Sequence, residues 1–156
     1  MKRWLFNHDL PPMLHSLALL LFRCVIAWMM LYGHGWSKFQ KFDMLKEKFP
    51  VPPPFAAWLS PTMSLGITLF AEVVCCGLLI LGLASRVSAA VLAIVMGIAA
   101  FVIHGKDPMF YGPGIEGGFQ ELALLYFVAS VFLVLTGPGS FSLDAKFGAE
   151  KRRMFR

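Results

Sequence analysis

Four long apolar segments constrain this chain more than anything else in it. They run over residues 14–36, 62–83, 87–104 and 119–136. A helix rises about 1.5 Å per residue, so roughly 20 apolar residues cross the hydrocarbon of a bilayer. Each segment is near or above that length. Helices satisfy their backbone groups internally, whereas open sheets in lipid do not. The expected fold is therefore an all-α membrane protein, a bundle of four transmembrane helices with a short amphipathic interfacial helix after the first span. Tails and loops are too short for a second domain, so residues 1–156 read as one.

Composition agrees, since 58% of the residues are hydrophobic and only 15% charged, far from soluble averages. The run at residues 17–22 looks briefly like a signal peptide, but Arg23 interrupts it and no small-residue cleavage pattern follows. A retained first span is expected. The net charge of +5 invites a nucleic-acid reading, but the positives are spread as topology would spread them. With both termini on one side, that side collects Lys2, Arg3, Arg86, Lys146, Lys151, Arg152, Arg153 and Arg156, against Lys38, Lys41, Lys46, Lys48 and Lys106 on the other. The positive-inside rule then puts both termini in the cytoplasm. The basic tail is expected against anionic headgroups, with no nucleic-acid partner.

Smaller features fit this frame. Phe39, Phe42, Leu45 and Phe49 recur at helical spacing among lysines, the pattern of the interfacial helix over residues 37–49, which the prolines from Pro50 to Pro54 terminate. Cys24, Cys75 and Cys76 have no metal spacing and read as small packing residues. Ser85, Ala89, Ala93 and Gly97 form a stripe that admits a close helix neighbour, and His104 falls on its continuation. The loop at residues 105–118 is rich in glycine and reads as an irregular lid, without a nucleotide cradle.

The chemistry lies in a few ionisable residues at membrane depth. Arg23 and Glu72 fall at similar depth by residue count, so a buried Arg23–Glu72 ion pair is expected. At the outer end His34, Lys38, His104 and Glu121 converge on one leaflet and suggest a pocket for a polar head with an apolar tail. Glu121 in a first helical turn also suits the helix dipole. A zinc site of His34, His104 and Glu121 and a bis-histidine haem are weaker readings of the same residues.

The order of motifs resembles the DoxX family of small membrane proteins. Arg23 and His34-Gly35-Trp36-Ser37-Lys38-Phe39 are similar to its opening motif. Glu72 with the stretch from Gly77 to Arg86 resembles its second, with Cys76 where glycine is common and Ser85 in place of threonine. His104, Phe110-Tyr111, Gly117-Gly118-Phe119 and Glu121 resemble its third, and Gly137-Pro138-Gly139-Ser140-Phe141-Ser142-Leu143-Asp144 its ending. The resemblance implies four helices in a prokaryotic cytoplasmic (inner) membrane. Some relatives look like quinone-linked partners in thiosulfate oxidation, others like membrane parts of stress complexes.

The expectation is a membrane subunit that binds a quinone-like ligand through His34, Lys38, His104 and Glu121 and supports a partner oxidoreductase in a larger complex. No cofactor is intrinsic, because the chain has no flavin, iron–sulfur or nucleotide motif; a bound quinone is the one expected small molecule. A non-enzymatic anchor is the alternative, and a small transporter ranks below it for want of broken helices or inverted repeats.

Overall fold

The computed structural model describes residues 11–110 and 119–154, with side chains to residue 148. The N-terminal tail and the middle of the glycine-rich loop, Tyr111 included, lie outside the described residues. Among those described there is no strand. Among the described residues three helices are long and apolar enough to cross a membrane: α1 (Pro12–Gln40), α2 (Pro61–Leu81) and α3 (Ser85–Ile103). A fourth apolar helix, α4 (Gln120–Thr136), is 17 residues long, and α5 (Leu143–Met154) follows it.

The sequence sets the ends of these helices. Pro12 opens α1 and Pro61 opens α2, at first-turn positions where a missing amide is harmless. Ser60 caps α2 by accepting from the Met63 amide. Gly82, at φ +70°, closes α2 as the Leu83 and Gly82 amides return to the carbonyls of Leu78 and Leu79. The turn to α3 is so short that α2 and α3 are antiparallel neighbours. The small-residue stripe does what its composition suggests. Ser85, Ala89 and Ala93 are buried on α3, α3 and α4 make the most extensive helix contact, and a Cβ on Gly97 would stand 3.2 Å from the Phe127 ring. After α4, the segment from Gly137 folds back on the start of α1, where the Ser140 amide donates to Ser16 Oγ at 3.4 Å. The segment that follows α4 thus meets the start of α1 at one end of the molecule.

α1, α2 and α3 each contain one π turn, at Leu31–Gly35, Phe70–Cys75 and Ala99–Ile103. A π turn inserts one residue into the helical register and recurs at functional sites. In α1 its consequence is visible: the buried stripe runs Leu19, Arg23, Ala27, Met30 and then Gly35. Regular spacing would have buried His34.

The interfacial helix expected over residues 37–49 is divided. Its first part continues α1 to Gln40, Lys41 breaks the helix at φ −98° and ψ 19°, and Phe42–Leu45 forms a single turn. The aromatics at Trp36 and Phe39 give α1 no reason to stop where the apolar span was drawn. The rest is pinned to α2, for Thr62 Oγ1 donates to the Lys46 carbonyl at 2.9 Å and Ser64 Oγ to the Pro50 carbonyl at 2.8 Å. The three cysteines are free thiols.

Candidate functional site

α1 and α2 run antiparallel in close contact. Cys24 Sγ lies 3.9 Å from the Ile80 carbonyl oxygen. Further along, a Cβ on Gly35 would stand 2.8 Å from Val73 Cγ2 and 3.0 Å from the Glu72 carbonyl oxygen. Glycine at position 35 therefore lets the π turns of the two helices touch. One turn on, Lys38 Nζ donates to Glu72 Oε1 at 2.5 Å. The Glu72 side chain is 3% exposed and that of Lys38 25% exposed, so the pair joins a buried carboxylate to an ammonium that reaches it from the rim.

The expected Arg23–Glu72 pair is not formed, and the register explains why. Arg23 lies across from Gly82, where a Cβ would meet its Nη2 at 2.8 Å. Residue 82 is ten positions, about 15 Å of helix, from Glu72. Counting from span ends misled because α1 extends beyond α2 at that end. Arg23 instead donates through Nη1 to the Pro138 carbonyl and through Nη2 to the Phe141 carbonyl, each at 2.5 Å. It is buried to 1% exposure and ties the segment after α4 to α1.

Beside the ion pair is an apolar cavity of about 450 Å³, within the usual range for small-molecule sites. Ile67, Thr68 and Glu72 of α2 line one wall and Val95, Met96 and Ala99 of α3 the other. Phe49, Pro50, Pro52 and Phe55 from the connecting segment cover it, Lys38 reaches in from α1, and His104 borders it. His104 Nδ1 lies 2.7 Å from Asp107 Oδ2. Because an ionised carboxylate only accepts, the imidazole donates there and its Nε2 is left for another partner.

Of the four outer candidates, Lys38 and His104 line the cavity. His34 does not: its ring packs edge-on against buried Tyr126, centroids 5.7 Å apart. Glu121 is also outside the lining, and its amide donates to the Met109 carbonyl at 3.0 Å as α4 begins. Among the described residues no three His, Cys, Asp or Glu side chains gather as a metal site would need. Sequence reasoning missed Asp107, although its spacing three residues after His104 was a signal. It also missed Gln120, whose Nε2 donates to the Ala100 carbonyl in the π turn of α3.

These features define an all-helical membrane protein with a buried ion pair at the end of an apolar cavity. The DoxX family model matches residues 18–105, a stretch that contains Lys38, Glu72 and His104. The chain belongs to the DoxX family. It is similar to an uncharacterized protein of Haemophilus influenzae, 36% identical over 129 residues that make up 80% of this chain and 87% of that protein. A second uncharacterized protein of the same organism is 27% identical over 135 residues, 83% of this chain and 82% of that protein. No solved structure matches.

Proposed function

We propose that this protein is a membrane subunit that holds a quinone-like molecule in the cavity between α2, α3 and the covering segment, and presents it to a partner oxidoreductase. The observation that carries the reading is the union of an apolar chamber with one charged pair. A ring with an apolar tail fills such a chamber, while its polar substituents reach Lys38 and Glu72 at one side and His104 at the border. Few precisely placed polar groups in an apolar lining are what orient such ligands. Electrons leave through the partner, since the chain has no redox motif of its own. All four apolar helices span the cytoplasmic membrane of a prokaryote, with both termini in the cytoplasm as the distribution of lysine and arginine favours.

The test uses the full chain in lipid nanodiscs, with empty nanodiscs as the control for partitioning. A decyl-tailed benzoquinone and its hydroquinone are added as probes and binding is read by equilibrium dialysis. Saturable binding that weakens at least tenfold in Lys38→Met supports the reading. Lipid-like partitioning of both probes overturns it.

A second reading, a docking subunit without a ligand, has its own observation. Trp36 and Phe39 stack at 5.8 Å on the exposed side of α1, and Trp58 on the connecting segment is 83% exposed. Native mass spectrometry after gentle extraction separates the two readings. A stoichiometric protein partner and no small ligand favours docking alone.

A further inference from the structure

The polar atoms around the cavity are unequally occupied. The Ser64 hydroxyl proton goes to the Pro50 carbonyl and that of Thr68 to the Ser64 carbonyl. Glu72 Oε1 receives Lys38, but Glu72 Oε2 is buried and has no hydrogen-bond partner. Glu72 as a residue is 2% exposed and lines the cavity. A carboxylate oxygen held out of water without a donor is costly, and a native site that keeps one invites a ligand to supply the donor.

We infer that the cavity selects the hydroxyl-bearing, reduced form of its ring ligand over the oxidised form, with Glu72 Oε2 accepting the ligand's O–H. This rests on the quinone reading above and sharpens it. A quinone offers only acceptors, so its carbonyl against Glu72 Oε2 brings two acceptors together with no proton between them. A hydroquinone or phenol donates there, and its oxygen lone pairs remain for the unused protons of Lys38. With Lys38 Nζ donating to Oε1, the position on Glu72 that stays open to a ligand hydroxyl is Oε2. Sites built to bond a hydroxyl reject analogues lacking it far more strongly than apolar contacts alone can.

The experiment compares the dissociation constants of decyl-tailed benzoquinone and its hydroquinone, under anaerobic conditions that prevent interconversion, on the full chain in nanodiscs. The hydroquinone is expected to bind at least tenfold more tightly. Glu72→Gln is expected to bring the ratio close to one. Should the single variant fail to fold, the double variant Lys38→Met, Glu72→Leu, which strands no charge, replaces it and is expected to bind neither form above lipid partitioning. Equal affinities, or preference for the quinone, in the unaltered protein overturn the inference and leave the cavity reading standing. A preference that survives in the variants overturns the role of Glu72. Failure of both forms to bind to the unaltered protein overturns the cavity reading and the inference with it.

Discussion

Arg23 and Glu72 are both buried charges in apolar helices, yet their surroundings differ in kind. Arg23 meets fixed backbone: the carbonyls of Pro138 and Phe141 accept from it, and Gly82 has no side chain in its way. Arg23 is not among the residues that line the cavity beside the Lys38–Glu72 pair. Each keeps one buried polar atom unbonded, Arg23 Nε and Glu72 Oε2, but Glu72 meets a long, adjustable lysine and borders about 450 Å³ of apolar space. A charge surrounded by immovable backbone holds elements together. One beside a void with spare bonding capacity can answer a ligand. The π turns follow the same division, since those of α2 and α3 contain the cavity-lining residues Glu72, Ala99 and Ile103, and none of the three supplies a partner to Arg23.

The sharpest way to break this comparison is to remove Arg23. Arg23→Leu leaves two carbonyls without their donor, at about 1–3 kcal/mol each where water is excluded, and frees the segment after α4 from α1. A large drop in unfolding temperature in detergent, or failure to accumulate, is expected. Glu72 keeps Lys38 in this variant, so whatever folds at low temperature should bind hydroquinone as before. Loss of binding without loss of stability would reverse the roles assigned to the two charges.

The Lys38–Glu72 pair should respond in the opposite sense. Lys38→Met leaves a buried carboxylate uncompensated, at about 3–5 kcal/mol for a well-buried pair and less here because Lys38 is partly exposed. Joining it to Glu72→Leu should restore most of the stability while ligand binding stays absent. Thermal unfolding and probe binding on the same three samples check both halves. A double variant that regains stability and binding would make the pair purely structural.

Much of the architecture was legible because it follows from length and spacing. The apolar runs found α1 to α4 within a few residues, and the Ser85–Ala89–Ala93 stripe found the close packing of α3. The pairing of charges was not legible, because it depends on two quantities a sequence does not carry. One is the offset between α1 and α2, which puts Gly82 rather than Glu72 opposite Arg23. The other is the π turn at Leu31–Gly35, which carries the buried stripe to Gly35 and so, three residues later, to Lys38. Regular four-residue spacing from Met30 would continue the stripe to His34, whose ring packs instead against Tyr126.

Gly35 tests that geometry more gently. In Gly35→Ala the new methyl meets Val73 Cγ2 at 2.8 Å and the Glu72 carbonyl at 3.0 Å, so the helices must part slightly, at about 1–3 kcal/mol. A modest fall in unfolding temperature is expected, with hydroquinone binding several-fold weaker because Lys38 and Glu72 move apart. A variant with altered stability but unchanged affinity would show that the ion pair tolerates that movement.

The smallest effect belongs to the end of the bundle that holds Arg23, where Asp144 completes the structure around it. α3 begins after Ala84, a left-handed residue at φ 47° that offers no side-chain cap. Asp144 of α5 supplies one from a distance, its Oδ1 accepting from the Ala84 amide at 2.7 Å and its Oδ2 from the Ser85 amide at 2.8 Å. Partial burial pushes its carboxyl upward, but hydrogen bonds from Ser85 and Ala84, with the nearby Arg23 charge, outweigh that and hold it below the ordinary aspartate value. Asp144→Ala should cost about 0.5–2 kcal/mol, the usual loss for a helix cap. A group whose folded-state pKa is depressed stabilises the fold above its unfolded value and loses that contribution as pH falls through the folded one. The gap in unfolding temperature between the unaltered protein and Asp144→Ala should therefore be full at neutral pH and close on acidification below the normal aspartate range. Taking the difference between the two proteins cancels other groups that titrate in both. A gap constant with pH would mean that Asp144 acts through packing, and that this anchor draws its electrostatic strength from Arg23 alone.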